Sequence, residues 1–241
     1  MENLPDIIQS IINQIDLNIS INSVEVIDST TDKLYVCSTT SFLTKTKVVT
    51  IDGLDYTVTD FDLNNWIEVT PKGHATVVPT DTKVITTGPI TFLHGAPYSV
   101  NAEYLSLDTD TLNKTPFIWL LESYEFDDLP RDSSIDLAFN ARLFFLDWYS
   151  ERNRDSNDDQ NNYAIKPMQN LQRSFVKVIN DDFNFKTLGT VSTTVRPRFG
   201  VSVGGRNGAP QPKEKIIDDD LSGVDSRMKI EVYDASSCSC D

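Results

Sequence analysis

The sequence predicts an α+β fold: a mostly antiparallel sheet with two helices packed on it, an inserted small all-β barrel or sandwich, and an extended C-terminal arm. Three observations predict it. Isoleucines recur at helical spacing near the N-terminus. β-branched and aromatic residues then recur with period two from about residue 22 to residue 100. A second helical stripe follows a polar break, with strand-like segments after it. The predicted division is an α+β body at 1–23 and 101–203, an inserted all-β domain at 24–100, and an arm at 204–241 with a final strand at about 228–234.

The first element is "LPDIIQSIINQI". Ile7/Ile8, Ile11/Ile12 and Ile15 share a helical stripe, and Pro5 and Asp6 suit a first turn. Proline lacks only an N–H that would be unsatisfied there, and a carboxylate complements the positive end of the helix dipole. A helix over about 4–16 follows.

From about residue 22, seven or eight short strands are separated by turn residues, a spacing that points to a closed barrel or sandwich. The strongest local signal is "VVTIDGLDYTV". Asp52-Gly53 fits a two-residue type I′ turn, which pairs Ile51 with Leu54 and Val49 with Tyr56 and puts all four on one face.

Beyond Tyr104, "TPFIWLLESYEF" is nearly continuously apolar, as in a strand covered on both faces. In "SSIDLAFNARLFFLDWYS", Ile135, Leu137, Phe139, Ala141 and Leu143 share a face opposite Asp136, Asn140 and Arg142. "ERNRDSNDDQNN" has no period and reads as a loop. "KPMQNLQRSFVKVI" carries a stripe of Met168, Leu171, Phe175 and Val178/Ile179 behind Pro167, a second helix. Strands are expected at about 186–203 and 228–234. Between them, "GGRNGAPQPKEKIIDDDLSG" shows no core pattern and reads as an arm that orders against a partner.

With 36 acidic and 21 basic residues the net charge is −15. That balance argues against sequence-specific nucleic-acid binding, which depends on Lys and Arg displacing counterions, and does not exclude a surface that DNA slides past without sticking. Cys37, Cys238 and Cys240 form no readable disulfide framework. No basic-then-apolar leader and no apolar run of about 20 residues are visible, so synthesis and retention in a cytoplasm are expected until assembly.

Catalytic signals are sparse. His74 and His94 are the two imidazoles, and neither has a nucleophile at a recognised spacing; no G-x-S-x-G occurs. His94, before Gly95 and Pro97, is expected to hold a bend by a local hydrogen bond, and His74 to sit in an exposed turn. No zinc, calcium or phosphate-loop motif is present, and the acidic runs 157–159 and 218–220 read as solvated loops. No cofactor is expected. Arg196 and Arg198, flanking Pro197, read either as cations that seat an acidic neighbour or as a solvated edge strand.

Together these segments resemble the neck and tail-joining ring proteins of tailed bacteriophages. The likeness rests on the first helix, "TPFIWLLE", "IDLAFNARLFFLDW", the polar loop and "IKPMQNLQRSFVKVI", and matches the layout of tail terminators and tail-completion proteins. "FLHGAPYSVNAEY" is similar to a stretch in structural proteins of crAss-like phages. The resemblance covers 101–190 and, more faintly, 24–100; the β-rich insertion departs from small tail terminators. It implies a non-enzymatic virion protein of the neck or tail that forms a six- or twelvefold homo-oligomeric ring. Its neighbours would be portal, ring or tail proteins, with DNA passing through unbound. The subunit-interface candidates are then Arg196, Arg198, Arg206, Ile216 and Ile217. Two other readings stand beside it: a carbohydrate- or protein-binding module of a fibre or adhesin, stacking ligand on Trp66 or Tyr98, and a hydrolase built on a carboxylate pair.

Overall fold

The computed structural model describes residues 3–36, 43, 47–107, 115–122, 124–131, 134–148, 164–199 and 221–233. Helix α1, Leu4–Asn13, starts where Asn3 accepts a 3.0 Å hydrogen bond from the Asp6 amide, with proline in the first turn. It ends at Gln14, short of the expected residue 16. Ten residues are too few for an isolated helix in water. Burial of Leu4, Ile7, Ile8, Ile11 and Ile12 holds it, each side chain contributing about 1.5–3 kcal/mol.

Six strands then close into a barrel in the order β1-β2-β5-β4-β3-β6. They are β1 (Asn18–Val26), β2 (Asp32–Val36), β3 (Val48–Ile51), β4 (Leu54–Asp62), β5 (Trp66–Pro71) and β6 (Val84–Thr87). All pairs are antiparallel, and β1 bonds to both β2 and β6. The β3–β4 hairpin has the predicted register, Ile51 with Leu54 and Val49 with Tyr56, and both turn residues take positive φ (Asp52 49°, Gly53 78°). Val49, Ile51 and Tyr56 are buried inside; Leu54, beside the turn, is 39% exposed. Closure leaves no free strand edge on this unit.

The barrel occupies 18–87, against the expected insertion of 24–100. The next strand, β7 (Thr91–Gly95), belongs to the second sheet and runs parallel to β8 (Phe117–Leu121). A helix that the sequence reading did not include, α2 (Pro97–Ser106), lies between them in the chain. The structure therefore has three helices among its described residues rather than two, and its sheet contains one parallel pair.

The sheet is completed by β9 (Glu125–Arg131), β10 (Ser134–Trp148), β11 (Phe185–Phe199) and β12 (Leu221–Val232), with α3 (Lys166–Asp181) preceding β11. The order is β11-β12-β10-β8-β7, and β9 pairs with the first half of β10. α1 and α3 cover one face through Ile8, Leu171 and Phe175, which cluster with Phe139, Leu143, Phe145, Val224 and Ile230. α2 covers one end of the other face, where Val100 and Tyr104 cluster with Phe117, Trp119, Phe144 and Phe199.

The last strand begins at Leu221, not near 228, and it lies between β10 and β11 instead of in an arm. Only 204–220 and 234–241 of the expected arm stay outside this strand and Tyr233, and they lie outside the described residues. Gly223 fixes the position of β12. A Cβ there would overlap the Phe145 carbonyl oxygen, so only glycine allows the close approach to β10.

Among the described residues, no helix is long and apolar enough to cross a membrane.

Candidate functional site

On β10 and β12 alternate side chains point away from α1 and α3. α2 covers only the end marked by Trp119 and Phe144, so the described helices leave the rest of that face uncovered. That part carries Arg142 on β10, Asp225, Arg227 and Lys229 on β12, and Arg196 on β11.

Asp225 organises the group. Its carboxylate, 2% exposed, accepts from Arg142 Nε at 3.0 Å and Nη2 at 2.7 Å, and from Arg196 Nη2 at 2.7 Å. Burial pushes its pKa up, and the hydrogen bonds from the two guanidinium groups outweigh burial and hold it below the usual carboxylate value. Arg142 is raised in turn by its bond to Asp225, and its guanidinium stands 4.9 Å from the Phe144 ring. Two partly exposed arginines are thus fixed on one buried anion, with donor capacity left toward solvent.

Arg227 faces Arg142 directly in the β10–β12 register. It is exposed and has no ion pair with a described residue. Lys229, two residues on, donates to Asp127 of β9 at 2.6 Å. Four cations against two carboxylates leave the group at net +2, on a chain of net −15.

The β11 backbone shapes this surface into a trough. Leu188 pairs with Lys229 and Ser192 with Arg227, so four steps on β11 face two on β12. Gly189, with φ of 71°, permits the bulge. The resulting space of about 380 Å³ is bordered by Arg142, Arg227, Lys229, Leu188, Thr190 and Ser192. A second irregularity lies between Arg196 and Phe199, where Ser222 Oγ donates to the Pro197 carbonyl at 2.6 Å. Proline is tolerated there because β11 is the edge strand and the position is a bulge.

Of the sequence candidates, Arg196 joins the Asp225 group beside this trough and does not border the trough itself. Arg198 falls in the second irregularity, with its side chain outside the described set, and Arg206, Ile216 and Ile217 lie outside the described residues. Arg142, Asp225, Arg227 and Lys229 were not among the candidates. Their signal was the alternation in "VDSRMKIEV", Val224, Ser226, Met228 and Ile230 against Asp225, Arg227, Lys229 and Glu231.

His94 is the penultimate residue of β7, and Gly95 (φ 144°), which ends the strand, leads into α2. Its Nε2 is buried with no hydrogen-bond partner among the described residues, so the expected local bond is absent there; its ring lies 6.3 Å from that of Tyr124. His74 is partly buried, not a free turn residue: its Nε2 is 2.8 Å from the Asp55 carbonyl, and its ring meets Tyr56 edge-on at 5.0 Å. Trp66 carries Lys33 Nζ over its ring at 4.2 Å, whereas Tyr98 on α2 is 86% exposed. No cluster of potential metal ligands occurs among the described residues. The cysteines and both acidic runs lie outside them.

One other buried ionic group joins the barrel to the sheet. Lys47, just before β3, donates from Nζ to the Thr115 carbonyl at 3.0 Å, just before β8. Burial pushes its pKa down to about 8, partly offset by the charge of Asp147, itself 1% exposed. An ammonium held in this way ties two cores together.

The trough can therefore bind carboxylate or another oxyanion by charge and oriented N–H donors. Comparison with known protein families, with curated proteins and with solved structures finds no match for this chain.

Proposed function

We propose that this chain is a structural component of a tailed-phage virion, a homo-oligomeric ring of the neck or tail that joins portal and head to tail and surrounds the DNA passage. The observation that carries the reading is the cationic trough on the open face of the sheet of an otherwise acidic chain, beside a 15-residue edge strand. An acidic surface keeps DNA from adhering, while a local cationic patch gives each subunit a complementary place for an acidic neighbour. Ring closure needs two different patches per subunit, and a patch of sign opposite to the rest of the surface meets that need.

The fibre or adhesin reading has weaker support. Trp66, one of its two stacking candidates, has Lys33 over its ring. In native mass spectrometry of the purified chain, the ring reading predicts a discrete closed multiple, sixfold or twelvefold, alone or with a portal-like partner. A strict monomer that captures glycans would support the fibre module instead.

A further inference from the structure

Opposite charge on an exposed apolar tip is found elsewhere in the same chain. The end of β1 and the start of the β1–β2 connection present "EVID", residues 25–28. Val26 is 54% exposed and Ile27 48% exposed, and the acidic residues Glu25 and Asp28 flank them. Both carboxylates are held in place. Glu25 accepts from Tyr35 Oη at 2.7 Å, and Asp28 accepts from the Thr30 amide at 2.7 Å and its hydroxyl at 3.0 Å.

The trough is the counterpart of this tip in both respects. Its border combines Arg142, Arg227 and Lys229 with the partly buried Leu188. Arg142 and Arg227 are like charges directly opposite on neighbouring strands, an arrangement that costs stability unless an anion lies between or over them. Asp225 neutralises Arg142 from beneath and leaves Arg227 unmatched by any described residue. The tip is compact: the Ile27 and Asp28 amides both donate to the Thr31 carbonyl, at 3.0 and 3.2 Å, so the chain turns directly after Val26.

We infer that the Glu25–Asp28 tip of one copy docks in the Arg142–Arg227–Lys229 trough of the next copy, Val26 and Ile27 entering against Leu188 while Glu25 and Asp28 meet Arg227 and Lys229. The contact is heterologous, tip to trough, so it repeats around a ring. The inference rests on the ring reading and specifies its subunit contact. Its energy is partly apolar burial and partly ionic, so assembly weakens with salt but is not abolished by it.

The test is a charge swap in the full-length chain, with self-association followed by sedimentation and folding checked by circular dichroism and thermal melting. All the altered side chains are exposed. Arg227→Glu alone and Asp28→Arg alone are each expected to weaken self-association by about tenfold or more, and the combined variant to recover most of the loss. Val26→Ser with Ile27→Ser, which leaves every charge in place, is expected to weaken it as well. If the wild type assembles and the single variants assemble equally well, or the combined variant shows the sum of both losses, the tip-to-trough contact is wrong and the ring reading stands. If the wild type is monomeric at every concentration, the tip-to-trough contact is wrong, and if it also forms no ring with a portal-like partner, the ring reading is wrong as well.

Discussion

Arg142 and Arg227 lie directly across from each other on β10 and β12, on the face of the sheet that no described helix covers, and Asp225 binds only the first of them. A fold under selection for stability alone would place an acid or a neutral residue at 227. Replacing Arg227 with alanine is expected to stabilise the monomer by up to about 1 kcal/mol, because opposed like charges cost about that much. Urea denaturation at a dilution where the chain is monomeric measures this; a loss of stability would mean that Arg227 has a partner within its own subunit.

Asp225→Asn leaves Arg142 and Arg196 on an uncharged acceptor. A loss of about 2 kcal/mol at neutral pH is expected, as for charged hydrogen bonds whose cationic ends are partly solvated. The sign of the pH effect follows from the depressed carboxylate. Its stabilisation is complete above the unfolded carboxylate pKa near 3.8 and is lost as pH falls through the lower folded value. The gap between wild type and Asp225→Asn should therefore narrow below about pH 4; a gap unchanged down to pH 2 would contradict it.

Gly223→Ala is expected to cost at least about 2 kcal/mol, because its new Cβ meets the Phe145 backbone carbonyl and neither strand can move without disturbing the sheet centre. Thermal unfolding reads this directly, and a change below about 0.5 kcal/mol would mean the strands sit farther apart.

Lys47 titrates near pH 8 when folded and near 10.5 when free, so between those values the unfolded chain binds the extra proton and stability rises with pH. In Lys47→Met that rise is absent. Tyr35 and Tyr56, both raised above their ordinary value, act in the opposite direction above about pH 10 but are common to both proteins. The wild-type minus variant difference in denaturation free energy should climb from pH 8 to pH 10.5; a flat difference would mean that Lys47 is solvated.

Local patterns were legible in the sequence, and those built from distant pieces were not. Asp52-Gly53 with its flanking apolar residues specified a hairpin to the register, because turn and strands are contiguous. The face of Leu137, Phe139, Ala141 and Leu143 on β10 was equally readable. α2 was missed because only Val100 and Tyr104 are buried on it, while Tyr98 and Leu105 are exposed, which blurs the helical stripe. The start of β12 was hidden by the acidic run before Leu221 and by Gly223, which reads as a breaker until the close approach to Phe145 is seen. The trough joins Arg142 to Asp225 across 83 positions of sequence, and no local period reveals that pairing. The same finding changes an obvious experiment. Removing 204–227 as an arm would also remove the first seven residues of β12, so an arm deletion must stop before Leu221.

The most direct test of the central claim is electron microscopy of the assembled full-length chain. The account predicts closed rings of six or twelve copies around a central channel, with the β10–β12 face inside each subunit contact. Isolated particles of about 27 kDa, or assemblies in which that face is turned to solvent, would contradict it.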